Sequence, residues 1–143
     1  MLRKMDGADV DAIALLEHRE FSPWRPSLIR AELSQQPGCA LVACIDERLV
    51  GWCCARYFSD EAELLKIGVQ RKYRRLAIGT ELLKELEDRL LEAGIEHIYL
   101  EVRSKNDAAL AFYQRAGFTV IHRRINYFNQ PRDDGLVLRK FLT

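Results

Sequence analysis

The chain has 143 residues, with 22 Lys and Arg against 21 Asp and Glu for a formal net charge of +1, a balance that argues against DNA or RNA as its main ligand. Its length and 48% hydrophobic content suit one domain with its own core, read as residues 1–143. No apolar signal segment follows Arg3-Lys4 and no stretch approaches membrane-spanning length, so a cytoplasmic protein with no membrane role is expected.

Leu2 to Met5 reads as a short strand, and Asp9 as the cap of a first helix carrying Ile13, Leu15 and Leu16. Pro23-Trp24-Arg25-Pro26 interrupts the chain. Ser27 is placed to cap a second short helix through Leu28, Ile29, Ala31 and Leu33, ending before Pro37-Gly38. Cys39 to Ile45 and Leu49 to Tyr57 then form a hairpin around Asp46-Glu47-Arg48. Cys39, Cys44, Cys53 and Cys54 lie in these apolar runs without zinc-site spacing. Reduced core thiols and no metal are expected, with Cys53 and Cys54 on opposite faces of their strand.

A third apolar run, Ala62 to Val69, leads into a basic loop and then the clearest helix, from Ile78 through Leu82, Leu83, Leu86, Leu90 and Leu91 to a stop at Gly94. Ile95 to Val102 favours a strand. Asn106 or Asp107 caps a helix that ends at Gly117. Phe118 to Phe128 and Leu136 to Phe141 supply the last strands, around a turn at Pro131 to Gly135. Strands interleaved with helices predict a mixed α/β sheet with helical cover.

The basic loop, Gln70 to Gly79, joins a strand to a helix start, where unpaired N–H groups and the helix dipole favour an anion. Ala77 and Gly79 keep the backbone approachable, Thr80 adds a hydroxyl, and Arg71, Lys72, Arg74 and Arg75 concentrate anions. Charge and spacing alone favour a solvated charged loop before a surface helix. The loop matches neither the P-loop nor the three-glycine dinucleotide pattern.

Arg74-Arg75-Leu76-Ala77-Ile78-Gly79 resembles the cofactor loop of the GNAT superfamily of N-acetyltransferases. Glu61 to Val69 before it, Leu100-Glu101-Val102-Arg103, and Asn106 with Ala108 to Phe118 are similar to the same family. With Phe21-Ser22-Pro23-Trp24 and Asn126-Tyr127-Phe128, they resemble its RimI-type branch, which acetylates the N-terminal alanine of a small-subunit ribosomal protein. Three residues depart from the pattern: Ala77 replaces the usual first loop glycine, and Lys66 and Gly68 replace a common Asn and Ala.

The resemblance implies a central, mostly antiparallel, twisted sheet with helices on both faces, and acetyl-CoA as donor in a direct transfer that needs no metal. It implies that the backbone around Gly68, at Ile67 and Val69, orients the acetyl and pantetheine portions. The loop of Arg74, Arg75, Leu76, Ala77, Ile78, Gly79 and Thr80 would take the pyrophosphate, with Asn106 farther along the cofactor. Glu101 becomes the general-base candidate and Tyr113 the acid near the departing thiolate. Read without the resemblance, Glu101 faces solvent or pairs with Arg103, and Tyr113 is a packing residue. Trp24, Glu61 and Tyr127 are candidates to touch a protein N-terminus, possible structural anchors otherwise. His18, His97 and His122 read as surface or packing residues. A monomer is expected. Three other readings stay open: an acetyltransferase for small amines or lysine, an acetyl-CoA-binding module without turnover, and a purely structural protein.

Overall fold

Asp46 and Glu47 both adopt left-handed backbone angles, at φ +50° and +65°, as a two-residue loop matched to strand twist requires. The loop joins β2 (Gly38–Ile45) to β3 (Arg48–Phe58), so Arg48 opens a strand. The computed structural model describes residues 1–18, 23–34 and 37–143, apart from the side chain of Arg75. Phe21 and Ser22 of the sequence motif lie outside the described residues.

β3 turns at Ser59-Asp60 into β4 (Glu61–Val69). With β1 (Leu2–Lys4), β5 (His97–Arg103), β6 (Thr119–Asn129) and β7 (Arg132–Phe141), these strands form one seven-stranded sheet in the order β1-β2-β3-β4-β5-β7-β6. Every neighbouring pair is antiparallel except β4 and β5. Helices α1 (Val10–Glu17) and α2 (Pro26–Ser34) cover one face, and α3 (Ile78–Glu92) and α4 (Asp107–Arg115) the other. The mixed, mostly antiparallel sheet with helices on both faces agrees with expectation. Alternation places Cys53 in the core under α3 and Cys54 in the core under α1.

Four boundary details differ from the sequence reading. Asp6, not Asp9, caps the turn before α1: its carboxylate accepts the Ala8 N–H, and Asp9 accepts the Asp6 N–H in return. Asp9 is thereby committed to Asp6 and to two 2.8 Å bonds from Arg3. Ser27 lies inside α2, because Pro26 occupies the first helical position, where its missing N–H costs nothing. Ile95 lies ahead of β5, in the turn that closes α3: after Gly94 at φ +86°, the Ile95 N–H returns to the Leu90 carbonyl at 3.0 Å. The last turn is only Gln130-Pro131, since Asn129 already pairs with Arg132 and Phe128 with Asp133.

Beneath α1, the fully buried Glu17 carboxylate ties three elements together. It accepts the Trp52 indole N–H at 3.0 Å and the Trp24 backbone N–H at 3.1 Å, and meets the Lys66 ammonium at 3.2 Å. A buried carboxylate persists only when its lone pairs are taken up in this way. Glu17→Ala strands Lys66 and the Trp52 N–H, and is expected to destabilise the fold by about 3 kcal/mol. Denaturant unfolding of the two proteins measures the difference.

Candidate active site

Between β3 and β4 the register shifts: Cys54 stands opposite Lys66 but Ala55 opposite Leu64, so Leu65 is an extra residue in β4. Such a bulge bends its strand. On its other side β4 is paired with β5 only from Glu61–His97 to Glu63–Tyr99, so the parallel pair ends where the bulge begins. Beyond that point β4 leads to the basic loop, while β5 continues along β7. A wedge opens between them.

On the loop side lies a cleft of about 700 Å³, lined by Ile67, Gly68 and Val69 of β4, by Ala77, Gly79 and Thr80 at the start of α3, and by Asn106 and Tyr113. Arg71, Arg74 and Arg115 bring positive charge to its walls. The first α3 bond formed by a helix N–H runs from Glu81 to the Ala77 carbonyl, and among the described residues the amides of Ile78, Gly79 and Thr80 have no acceptor one turn back. No side chain caps this end. Free amides, the helix dipole and neighbouring guanidinium groups suit a phosphate-bearing ligand. Arg74 is held in place by donating Nε–H to the Val69 carbonyl at 3.1 Å. Asn106 caps α4 by accepting the Ala109 N–H at 3.2 Å, which leaves its amide nitrogen as the donor facing outward.

Two predicted loop residues contribute no side chain to the cleft. Leu76 points outward, and Ile78 is buried under Gly51 in the main core. The helical period puts Ile78 on the same stripe as Leu82 and Leu86, which explains the inward turn. The Arg75 side chain lies outside the described residues. The sequence reading missed Ala108, Ala109, Phe112 and Arg115 as lining residues. Their three- and four-residue spacing on α4 was the available signal.

Tyr113 is buried and packs edge-on against Phe112 and Phe118. Burial raises its phenol well above the ordinary value, so the proton stays on at neutral pH. Among the described residues its hydroxyl makes no hydrogen bond, and the ring lines the cleft.

Glu101 lines a different cavity. Along β5, Ile98, Leu100 and Val102 enter the core, whereas Tyr99 and Glu101 face a groove of about 610 Å³ on the other side of the sheet. Its charge is thus not enclosed by the apolar strand that surrounds it in sequence, and the side chain is 30% exposed. It forms an ion pair with Arg124 at 3.9 Å, and Arg103 donates to the Pro131 and Gln130 carbonyls. Hydrogen bonding to Glu101, then that carboxylate's charge, raises the Tyr127 phenol above its ordinary value. Tyr127 lies so close over Gly135 that a Cβ there would fall 2.9 Å from its ring.

Of the remaining acceptor-side candidates, Glu61 lines the groove and meets His97 at 3.2 Å. Asp60 adds a third potential ligand atom within 4.8 Å, at an exposed position. Trp24 lines neither cavity: its ring meets Trp52 edge-on, 5.6 Å between centroids, in the core under α1.

The parted parallel strands, with a helix start suited to an anion on one side and a carboxylate groove on the other, have an architecture compatible with acyl transfer. The family model described as Acetyltransferase (GNAT) family matches residues 10–118, and the chain belongs to that family. It is 34% identical to an uncharacterized N-acetyltransferase of Methanocaldococcus jannaschii over 98% of this chain and 91% of that one. It is also 34% identical to the N-alpha-acetyltransferase RimI of Mycobacterium tuberculosis, over 93% and 87%. The crystal structure of a ribosomal-protein alanine N-acetyltransferase from Escherichia coli superimposes with a TM-score of 0.91 at 25% identity, covering all of this chain and 94% of that one.

Ala77, where the family usually has glycine, sits at φ +60° and ψ +22°. Left-handed geometry costs a residue with a Cβ about 1–2 kcal/mol, partly offset by the greater freedom that glycine gives the unfolded chain. Ala77→Gly is therefore expected to stabilise the fold by up to about 1 kcal/mol. A lower melting temperature for that variant would contradict the strain assigned to the loop.

Proposed function

We propose that the protein transfers the acetyl group of acetyl-CoA to the N-terminal α-amine of a protein, with a small first residue such as Ala, by direct attack while both substrates are bound. The observation that carries this reading is the shape of the acceptor side: an open groove on the sheet face, with Glu101 on β5 and the β6–β7 hairpin beside it, able to take an extended chain end. A closed acidic pocket would instead favour a small polyamine. The names of the M. tuberculosis and E. coli proteins support the same acceptor class.

Acetyl-CoA supplies the acetyl group already activated as a thioester. The free amides of α3 with Arg71 and Arg74 hold its phosphates, and Ile67 to Val69 offer backbone groups at the wedge. From the groove, Glu101 accepts the amine proton, directly or through a water, as the nitrogen bonds to the carbonyl carbon. Tyr113, kept protonated by burial, donates to the thiolate as the carbon–sulfur bond breaks. Base and acid thus act from opposite sides of the wedge. No metal is required for either step.

Glu101→Gln keeps the shape of the side chain and removes the base, while Tyr113→Phe keeps the ring and removes the acid. Each is expected to lower turnover by roughly 10²–10⁴-fold where proton transfer limits the rate. Near-native turnover in both folded variants, under conditions where chemistry is rate-limiting, would remove the assigned pair.

Acceptor choice is read from matched peptides that begin with Ala, Ser, Gly, Met or Leu, each carrying an internal lysine. An α-amine titrates about 2.5 units below lysine, so more of it is neutral and ready to attack. Fragment masses should place the acetyl group on the α-amine, with Ala, Ser or Gly preferred. Internal-lysine acetylation overturns the α-amine assignment, and a preference for Leu or Met overturns the small-residue specificity.

A further inference from the structure

Glu61 and His97 are direct strand partners at the start of the parallel pair, so their side chains stand together on one face of the sheet. His97 Nε2 lies 3.2 Å from Glu61 Oε2. The turn residue Asp60 brings a carboxylate oxygen within 4.8 Å of both atoms. Because 36 residues separate Glu61 from His97 in the chain, no ligand spacing shows in the sequence.

The elements that carry these groups are held in position. The His97 ring packs edge-on against Tyr99 and Phe141, at 5.0 and 5.8 Å between centroids, with Nε2 turned to β4. The Asp60 carbonyl accepts the Glu96 N–H at 2.7 Å and the His97 N–H at 3.4 Å, tying the turn to the start of β5. Among the described residues, neither Asp60 nor Glu61 forms an ion pair with a lysine or arginine, so lone pairs remain for a cation.

A tetrahedral zinc ion bound at about 2.0–2.1 Å keeps neighbouring ligand atoms about 3.3–3.4 Å apart. The contact between His97 and Glu61 is already close to that spacing. Asp60, exposed on its turn, has at most about 1.5 Å to close. One imidazole with two carboxylates suits zinc and its transition-metal neighbours, whereas Ca²⁺ and Mg²⁺ take oxygen ligands.

We propose that Asp60, Glu61 and His97 bind a divalent ion of the zinc type, which clamps β4 to β5 at the closed end of the wedge. Three residue pairs hold these strands together, and a metal bridge at the first of them reinforces a short ladder. The role is structural. His97 precedes Glu101 by four residues of β5, about 13 Å, and the ion takes no part in acetyl transfer.

The test uses the full chain, freed of metal by chelation, with Zn²⁺, Co²⁺, Ca²⁺ and Mg²⁺ as probes. Zn²⁺ is expected to raise the melting temperature, because an ion held only by the folded chain stabilises it by mass action. Co²⁺ should develop the visible absorption of a four-coordinate ion, and Ca²⁺ and Mg²⁺ should do neither at the same concentration. Asp60→Asn leaves the contact between His97 and Glu61 in place, and His97→Gln removes the nitrogen ligand. Each is expected to weaken Zn²⁺ binding, read by titration calorimetry, at least about tenfold. Asp60 is exposed, so its variant keeps the test decisive where His97→Gln fails to fold. A melting temperature that Zn²⁺ leaves unchanged in the native protein overturns the site. Undiminished Zn²⁺ affinity in Asp60→Asn also overturns it, placing the ion elsewhere, as on the Cys39 or Cys44 thiols. Equal binding of Mg²⁺ or Ca²⁺ reduces the cluster to a non-selective acidic surface and overturns the proposal as well.

Discussion

Where β4 and β5 part, the sheet stops being a continuous wall. A parallel pair lacks the hairpin that would keep its strands together at either end, and here its register runs for only three residues. The bulge at Leu65 bends β4 at that point. Most features of the site follow from this separation. The freed end of β4 presents Ile67, Gly68 and Val69 to the cleft, α4 supplies Tyr113 from the same side, and β5 carries Glu101 on its opposite face. A planar sheet would bury these backbone groups in ladder hydrogen bonds. The wedge leaves those on the β5 side without a strand partner, and the Val69 carbonyl takes the Arg74 Nε–H instead.

The departures from the family pattern at Lys66 and Gly68 form one arrangement rather than two accidents. Lys66 meets the Glu17 carboxylate, and that carboxylate sits 3.1 Å from where a Cβ on Gly68 would be. An alanine at position 68 would crowd the group that neutralises the lysine. Glu17 also holds the Trp24 backbone N–H, so the start of the chain leading to α2 is anchored to the strand that lines the cleft. Trp24 therefore acts through packing on Trp52 and through its backbone, at some remove from either cavity.

The two sides of the site are also joined through the loop between β5 and α4. Ser104 donates its hydroxyl to Asp133, and the Lys105 N–H donates to the same carboxylate. Arg103 reaches the Pro131 carbonyl at 2.7 Å and lies 4.4 Å from the centre of the Phe128 ring. Asp134 accepts from Asn126 and Arg123, beside Tyr127. One short segment thus ends in the Asn106 cap facing the cleft and at the same time fixes the hairpin that carries Tyr127. Asp133 and Asp134, which look like turn residues, are strand residues whose carboxylates are consumed by this bracing.

The helices α3 and α4, the β2–β3 hairpin, the basic loop and the family resemblance were all legible in the sequence, because each rests on short-range physics: apolar periodicity, turn residues and a helix start rich in cations. Local pattern also marked Asn106 or Asp107 as a cap, of which Asn106 is the one used, and Gly94 and Gly117 as stops, and both glycines adopt positive φ. Sequence could not assign Asp9, because its partner Arg3 competes with the helix for the same carboxylate. Nor could it separate Glu101 from Tyr113 into two cavities, since strand alternation and the parting of β4 from β5 put them on different faces. Leu76 and Ile78 show the same limit: adjacent to the candidate loop, one is turned to solvent and the other to the core by the phase of the helix. The left-handed strain at Ala77 and the bulge at Leu65 are long-range outcomes. They depend on which strands and helices finally meet, and only the folded chain decides that.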